Sequence, residues 1–254
     1  METNHEIKET VKEKYGQIAR GEVSGCAPNS SCCGGGADNA VVNMALKYDD
    51  ADRAALPEGA DLGLGCGTPA AFAELREGMT VLDLGSGGGI DCFIAAQHVG
   101  PSGLVIGVDM TEDMIARANA NKAKVAVPNV EFRLGDIESL PVQSGTVDRV
   151  LSNCVINLVP DKAVAFAEVF RVLKPGGGFT ISDIVVNGVI SPEERKDASL
   201  WAGCISGALD RSEYLSIVER AGFEHVRVVT EKRYDYKLQS DAGLYSITVS
   251  ATKP

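Results

Sequence analysis

The sequence predicts an α/β fold with a doubly wound parallel sheet, and three observations support that fold class. Short apolar runs alternate with helical segments from residue 80 to residue 185, which is the spacing of βαβ units. The first apolar run ends in a glycine-rich turn, 83–89, that opens a helix. The chain has 254 residues, 44% of them hydrophobic and 23% charged, enough to bury one large core.

Residues 61–185 carry the alternating core of the predicted fold. Strands are predicted at 80–84, 104–108, 130–134, 147–152 and 179–181, and helices at 90–99, after Thr111 and at 161–173. Thr111 is a suitable N-cap, and the helix after it has two acidic residues in its first turn. Strands that alternate with helices in this way run parallel, with helices on both faces of the sheet.

The two ends of the chain flank this core. Residues 1–60 predict a helix over 7–19 and then a small-residue loop, which together form an N-terminal cysteine-bearing arm. Residues 186–254 predict a smaller C-terminal α+β annex, with a helix at 212–221 and strands at 226–230 and 245–251. These last strands can extend the edge of the core sheet.

Charge and composition exclude several classes of function. The net charge of −11 argues against a nucleic-acid substrate, because binding phosphates needs a basic surface. The apolar runs are too short to span a bilayer, so no membrane partner is expected. The acidic N-terminus lacks the basic and then apolar order of a signal peptide, which favours a cytoplasmic protein. In that reducing compartment, the seven cysteines need an explanation other than structural disulfides.

The turn after the first strand is suited to a nucleoside ligand. Gly85, Gly87 and Gly89 have no side chains, so a ligand can approach the backbone N–H groups at the start of the helix. Asp109 ends the second strand, 22 residues (109 − 87) after Gly87. A carboxylate in that place can accept both hydrogen bonds of a ribose diol.

The same turn argues against a dinucleotide. Ile90 stands where the dinucleotide fingerprint has a glycine, and Asp83 suits a cationic ligand better than a pyrophosphate. The pattern Asp83-x-Gly85-x-Gly87-x-Gly89 resembles the first motif of class I methyltransferases, which bind S-adenosylmethionine on a Rossmann-like sheet. Other segments similar to motifs of that family are Gly107-Val108-Asp109-Met110, Gly135-Asp136-Ile137 and Lys174-Pro175-Gly176-Gly177. The cofactor contacts that the resemblance implies are Asp83, Gly85, Gly87, Asp109, Met110, Asp136, Ile137 and Asn153.

Three cysteines are candidates for holding the methyl acceptor. Ligands of such sheets bind beyond the carboxyl ends of the strands, and Cys154 directly follows the fourth strand. Cys66 precedes the core and Cys204 lies in the annex, so only the fold can bring the three thiols together. Three thiolates suit trivalent arsenic or antimony, which is thiophilic and keeps a lone pair. Alignment of that lone pair with the donor's methyl carbon would be the main contribution to the rate.

The segments around these cysteines resemble those of arsenite S-adenosylmethionine methyltransferases. The similar segments are 62–67, 152–158 and 201–209, together with Tyr15-Gly16 and 31–34 near the N-terminus. The resemblance implies that Cys154 and Cys204 bind As(III), that Cys66 joins them, and that Cys32 or Cys33 forms a transient disulfide with Cys66. Methylation formally oxidises As(III), so a dithiol can return two electrons before thioredoxin or glutathione reduces the disulfide.

Two other interpretations stay open at this point. In the first, the chain is a class I methyltransferase for a small organic metabolite, with incidental cysteines, and its activity would survive Cys154→Ser or Cys204→Ser. In the second, it is a thiol-based metalloid-binding protein without turnover, which would bind arsenite and not consume the methyl donor. Cys92 follows the cofactor loop and is expected in the core, while Cys26 in the arm is expected to have no role.

Overall fold

A single mixed sheet organises the computed structural model, which describes residues 4–23, 48–49, 52–53, 56–125, 127–197, 200–201, 203–235, 238, 240 and 242–254. The strands in these ranges are β1 (Thr80–Leu84), β2 (Leu104–Asp109), β3 (Val130–Leu134), β4 (Val147–Asn153), β5 (Leu173–Asn187), β6 (Glu224–Arg233) and β7 (Gly243–Thr252). Their order in the sheet is β3-β2-β1-β4-β5-β7-β6. Strands β1 to β5 pair in parallel, which confirms the predicted α/β fold class.

Helices cover both faces of the parallel strands. The α-helices in the described ranges are α1 (Asn4–Arg20), α2 (Ile90–Val99), α3 (Glu112–Lys122), α4 (Lys162–Val172), α5 (Pro192–Arg195) and α6 (Arg211–Arg220). Strands β1 and β2 are buried along nearly their whole length, which is why their sequences are mostly apolar and do not alternate with polar residues. Gly100 ends α2 at a φ of 64°, and the Asp161 side chain caps α4 by accepting two backbone N–H groups.

The C-terminal strands extend the core sheet. Strand β7 runs antiparallel to β5 from Gly178 opposite Thr252 to Asn187 opposite Gly243, and β6 forms the edge beyond it. This pairing explains why β5 continues from the predicted 179–181 as far as Asn187. At its other end, Leu173 pairs with Val147 on β4, and β5 therefore covers 15 residues. The predicted glycine turn after α4 lies within β5, and β5 also passes through the predicted boundary at residue 185.

Helix α1 confirms the predicted N-terminal helix and lies against α3. Arg20 pairs with Asp113 at the first turn of α3, and the Arg117 guanidinium donates to the Ala19 carbonyl oxygen at 2.9 Å. Cys26, Cys32 and Cys33 lie outside the described residues. Within the described ranges, every helix is too short or too polar to cross a membrane.

Candidate active site

The glycine turn between β1 and α2 has the backbone geometry that its composition predicts. Gly85, Gly87 and Gly89 have φ values of 64°, 50° and 94°, a region that residues with side chains rarely adopt. A Cβ atom at Gly85 would lie 2.6 Å from the Val155 side chain. Backbone conformation and packing therefore both favour glycine here. The N–H groups of Ser86, Gly87 and Gly89 donate within the protein, so what the glycines give a ligand is close approach to the turn.

Asp109 at the end of β2 connects the glycine turn to the turn that leads into α3. Its Oδ2 accepts the N–H of Gly87 at 3.0 Å, and its Oδ1 accepts the N–H of Thr111 at 2.8 Å. Burial raises the pKa of Asp109, and the two backbone hydrogen bonds act in the opposite direction. The carboxylate thus stabilises the glycine turn while it also lines the adjacent cavity.

A cavity of about 750 Å³ opens at the carboxyl edge of β1, β2 and β4. Small-molecule sites commonly occupy about 300–1,000 Å³. The predicted cofactor residues that line it are Gly85, Gly87, Asp109, Met110, Asp136, Ile137 and Asn153. Ser86 also lines it, and its buried hydroxyl has no hydrogen-bond partner among the described residues. A glycine turn without side chains, carboxylates and an unpartnered hydroxyl fit a nucleoside ligand with a charged tail, as S-adenosylmethionine is.

Asp83 takes a different place from the one that the motif implies. It is absent from the described lining of the cavity, is 2% exposed, and accepts a hydrogen bond from the Cys92 thiol at 3.2 Å. Cys92 is fully buried, as expected. Asp91 in the first turn of α2 lines the cavity instead, accepting from the Tyr48 hydroxyl and from Asn153 Nδ2. Burial raises the pKa of Asp91 to about 6.

Sequence reasoning missed Asp91, although a signal for it was present. An acidic residue in the first turn of the helix that a glycine loop opens lies close to that loop and interacts favourably with the helix dipole. The structure also adds α1 to the site: Lys8 and Tyr15 line the cavity, and Lys8 pairs with Asp136 at 2.5 Å and with Glu138. Helix α1 therefore closes one side of the cavity through ion pairs with the segment after β3.

Cys66, Cys154 and Cys204 come together next to this cavity. They belong to one buried cluster and are 4%, 6% and 3% exposed. The Cys154 thiol interacts with the thiols of both other cysteines, and the Cys204 thiol donates to the Cys154 carbonyl oxygen at 3.0 Å. Cys154 lines the cavity itself. The fold thus gathers three cysteines from distant segments beside the donor pocket.

Two of these cysteines lie on strained backbone. Cys154 has a φ of 64° and Cys204 a φ of 63°. A residue with a side chain held in this region costs about 1–3 kcal/mol, and such residues cluster at functional sites. Contacts with the other two thiols, together with burial, raise the pKa of Cys154 well above its ordinary value, and burial raises that of Cys66. Both thiols are therefore protonated at neutral pH.

The thiol cluster, as the described residues place it, does not have the geometry of a metal-ion site. No group of three or more histidine, cysteine, aspartate or glutamate side chains in the described ranges is placed to hold a metal ion. Cys32 and Cys33, the predicted partners of Cys66 in a disulfide, lie outside those ranges. Trp201 is half-buried and packs against the cluster that contains Cys204.

Fold and site together define the class of the protein. The parallel sheet, the glycine turn, the acidic end of β2 and the cavity above them are the features of a class I S-adenosylmethionine-dependent methyltransferase. A family model described as a methyltransferase domain matches residues 75–222. S-adenosylmethionine is therefore the methyl donor of this enzyme.

Relatives with similar sequences identify the family within this class. An arsenite methyltransferase of Halobacterium salinarum is 44% identical, over 98% of this chain and 67% of that protein. Another, of Aquipseudomonas alcaligenes, is 37% identical over 95% of this chain and 71% of that protein. The crystal structure of an arsenic(III) S-adenosylmethionine methyltransferase from Chlamydomonas reinhardtii matches 82% of this chain and 75% of that one, with a TM-score of 0.72 and 33% identity. The chain belongs to the arsenite methyltransferase family.

Proposed function

We propose that this protein methylates trivalent arsenic, as arsenite and methylarsenite, and holds it through Cys66, Cys154 and Cys204. The observation that carries the proposal is the convergence of these three buried cysteines beside the donor cavity. Three soft sulfur ligands match a thiophilic, three-coordinate element. An organic methyl acceptor would give no reason for thiols at two strained backbone positions.

The donor is held by residues at the carboxyl edge of the sheet. Gly85 and Gly87 have no side chains and let the donor approach the turn, Asp109 accepts from the ribose hydroxyls, and Asp136 with Ile137 lies where the adenine is expected. Bound S-adenosylmethionine supplies an electrophilic methyl group, which the lone pair of arsenic can accept in line. The chain's own contribution is to hold the donor and arsenic in that alignment and to exclude water.

Protonated thiols are suited to binding neutral arsenite. Each of the three S–H groups loses its proton to one hydroxyl of As(OH)₃, so three As–S bonds form and three water molecules leave. No net charge enters the buried cluster, and burial therefore does not oppose binding, whereas burying three free thiolates would be costly. The raised pKa values of Cys66 and Cys154 are consistent with this condensation.

A redox step returns arsenic to its trivalent state after methylation. The methylated arsenic has three thiolates, one methyl group and a positive charge. The thiol of Cys32 or Cys33 attacks the arsenic-bound sulfur of Cys66: an S–S bond forms, the As–S bond breaks, its electron pair stays on arsenic, and the thiol proton is released. Thioredoxin or glutathione then reduces the disulfide.

The direct test incubates the protein with arsenite, a thiol reductant and methyl-labelled donor, and identifies the labelled product. Cys154→Ser and Cys204→Ser should each abolish labelled methylarsenic while donor binding persists, because serine cannot form the As–S bond. Cys92→Ser is the matched control, a buried cysteine outside the cluster. Full turnover in Cys154→Ser would reject the three-thiol site. Arsenite binding by the unsubstituted protein without donor consumption would reject the enzymatic proposal.

A further inference from the structure

We propose that two asparagines, Asn153 and Asn157, are positioning residues that assemble the thiol cluster around Cys154. They stand one residue before and three residues after that cysteine. Each side-chain amide binds the backbone of one of the two other cysteine segments. The inference rests on the proposed arsenic site, and it says how segments far apart in the chain are brought to one point.

Asn153 holds the segment that carries Cys66. Its Oδ1 accepts the N–H groups of Cys66 at 3.0 Å and Gly67 at 3.1 Å, and its Nδ2 donates to the Gly67 carbonyl oxygen at 3.0 Å. A Cβ atom at Gly65 would lie 2.7 Å from Nδ2, so the segment passes directly over the amide. Nδ2 also donates to Asp91 at 3.2 Å, which connects this clamp to the donor cavity.

Asn157 holds the segment that carries Cys204. Its Nδ2 donates to the Cys204 carbonyl oxygen at 3.2 Å and to the Ile184 carbonyl oxygen on β5 at 2.6 Å. The same segment approaches the Asn157 backbone so closely that a Cβ atom at Gly207 would lie 1.9 Å from its carbonyl oxygen. Once docked, the Cys204 thiol reaches the Cys154 carbonyl oxygen.

An amide suits these two positions because it donates and accepts hydrogen bonds without a charge. Asn157 is fully buried, and its Oδ1 has no hydrogen-bond partner in the part of the chain that the structure describes. An unpartnered buried polar atom is destabilising, so an apolar side chain would fill this space better if packing were its only role. What asparagine adds is the pair of directed bonds to Ile184 and Cys204.

The test uses Asn157→Asp, which keeps the shape of the side chain and removes the NH₂ donor. It is made with Cys26→Ser, Cys32→Ser and Cys33→Ser, so that only core cysteines bind arsenic. X-ray absorption at the arsenic edge should count three sulfur neighbours in the parent and two in the variant. Arsenite affinity, measured by fluorescence of the single tryptophan, Trp201, should fall about 10-fold or more.

A double-mutant cycle assigns the effect to a particular cysteine. If Asn157 acts through Cys204, adding Cys204→Ser to Asn157→Asp should weaken arsenite binding little further, whereas adding Cys66→Ser should weaken it again. For Asn153→Asp the pattern should be reversed, with Cys66→Ser as the substitution that adds nothing. A general loss of stability would not distinguish between the two cysteines.

Asn121→Asp is the matched control. Asn121 is also buried, and its amide bridges two carbonyl oxygens, those of Gly59 and Gly88, on the donor side of the molecule. It should weaken donor binding and leave arsenite affinity unchanged, while Asn157→Asp should do the opposite. If Asn157→Asp fails to bind the donor because it is unfolded, Gly207→Ala takes its place. The added Cβ atom would clash with the Asn157 carbonyl oxygen and so displace the segment that carries Cys204.

The outcomes separate this inference from the proposed function. Three sulfur neighbours and unchanged affinity in Asn157→Asp or, where that variant is unfolded, in Gly207→Ala would overturn the positioning role and leave the arsenic site standing. A parent protein that binds no arsenic through sulfur would reject the arsenic site itself.

Discussion

The carboxylate of Asp109 should make a large contribution to donor affinity. Asp109→Asn keeps the size of the side chain but leaves one acceptor oxygen for the N–H groups of Gly87 and Thr111. One of these groups would then face an amide NH₂, and the ribose hydroxyls would lose a charged acceptor. Hydrogen bonds to charged groups contribute about 1.5–3 kcal/mol, so the Kd for S-adenosylmethionine should rise about 10- to 150-fold.

Isothermal titration of the donor into the folded protein measures this change. Asp148→Asn is the control, because Asp148 also accepts a backbone N–H, that of Thr80 at 2.8 Å, but at the opposite edge of the sheet. The Kd of Asp148→Asn for S-adenosylmethionine should equal that of the unsubstituted protein. A wild-type Kd in Asp109→Asn, with the fold intact by circular dichroism, would refute the assignment of Asp109 to the ribose.

Three further predictions concern the core, the pH dependence and helix α1. Cys92→Ser should keep wild-type methylation per folded molecule, because this cysteine lies outside the thiol cluster; a folded but inactive variant would contradict this. Burial raises the pKa of Asp183 from 3.8 to about 7, so its contribution to stability is complete below pH 3.8 and is lost as pH rises towards 7. Denaturant unfolding at several pH values should show Asp183→Asn gaining stability relative to wild type over that window. Hydrogen bonds from Ser212 lower the pKa of Asp210, so its contribution is complete above pH 3.8 and Asp210→Asn should show the opposite slope only below pH 3.8. Lys8→Met should weaken donor binding at most about fivefold, because partly exposed ion pairs contribute about 0–1 kcal/mol. The difference in donor affinity between wild type and variant should shrink as the salt concentration rises. A difference that does not depend on salt would argue against the ion pair as the cause.

Much of the parallel core could be predicted because its signals are local. The run Thr80–Leu84, the glycines after it and the acidic residue that ends Leu104–Asp109 identify a βαβ unit without any long-range information. The extent of β5 could not be predicted in the same way. Ten of its 15 residues, 178–187, pair with Gly243–Thr252, and that partner begins 56 residues (243 − 187) after β5 ends.

The residues of the candidate site also fall into those that local signals predict and those that depend on tertiary packing. Motif spacing indicated Gly87 and Asp109, whose hydrogen bond the structure contains, because the turn and the strand end are adjacent in a βαβ unit. The motif also implied Asp83, but packing buries that carboxylate under the loop and brings Asp91 to the cavity instead. Which of two nearby acids faces a ligand depends on side-chain packing, which a spacing pattern does not contain.

The sequence by itself determined the class of fold and the donor loop, since both depend on residue type and short-range periodicity. It also made Cys66, Cys154 and Cys204 the candidate thiols, through the end of the fourth strand and the resemblance of the segments around them to a known family. Only the tertiary structure decided how the thiols meet. Cys66, Cys154 and Cys204 are separated by 88 and 50 residues (154 − 66 and 204 − 154). Their segments are joined by the pairing of β4 with β5, by the hydrogen bond that Asn153 accepts from the Cys66 N–H, and by the one that Asn157 donates to the Cys204 carbonyl oxygen. Such contacts form between segments that are neighbours only after the chain has folded, because the free energy of packing selects them and local sequence does not.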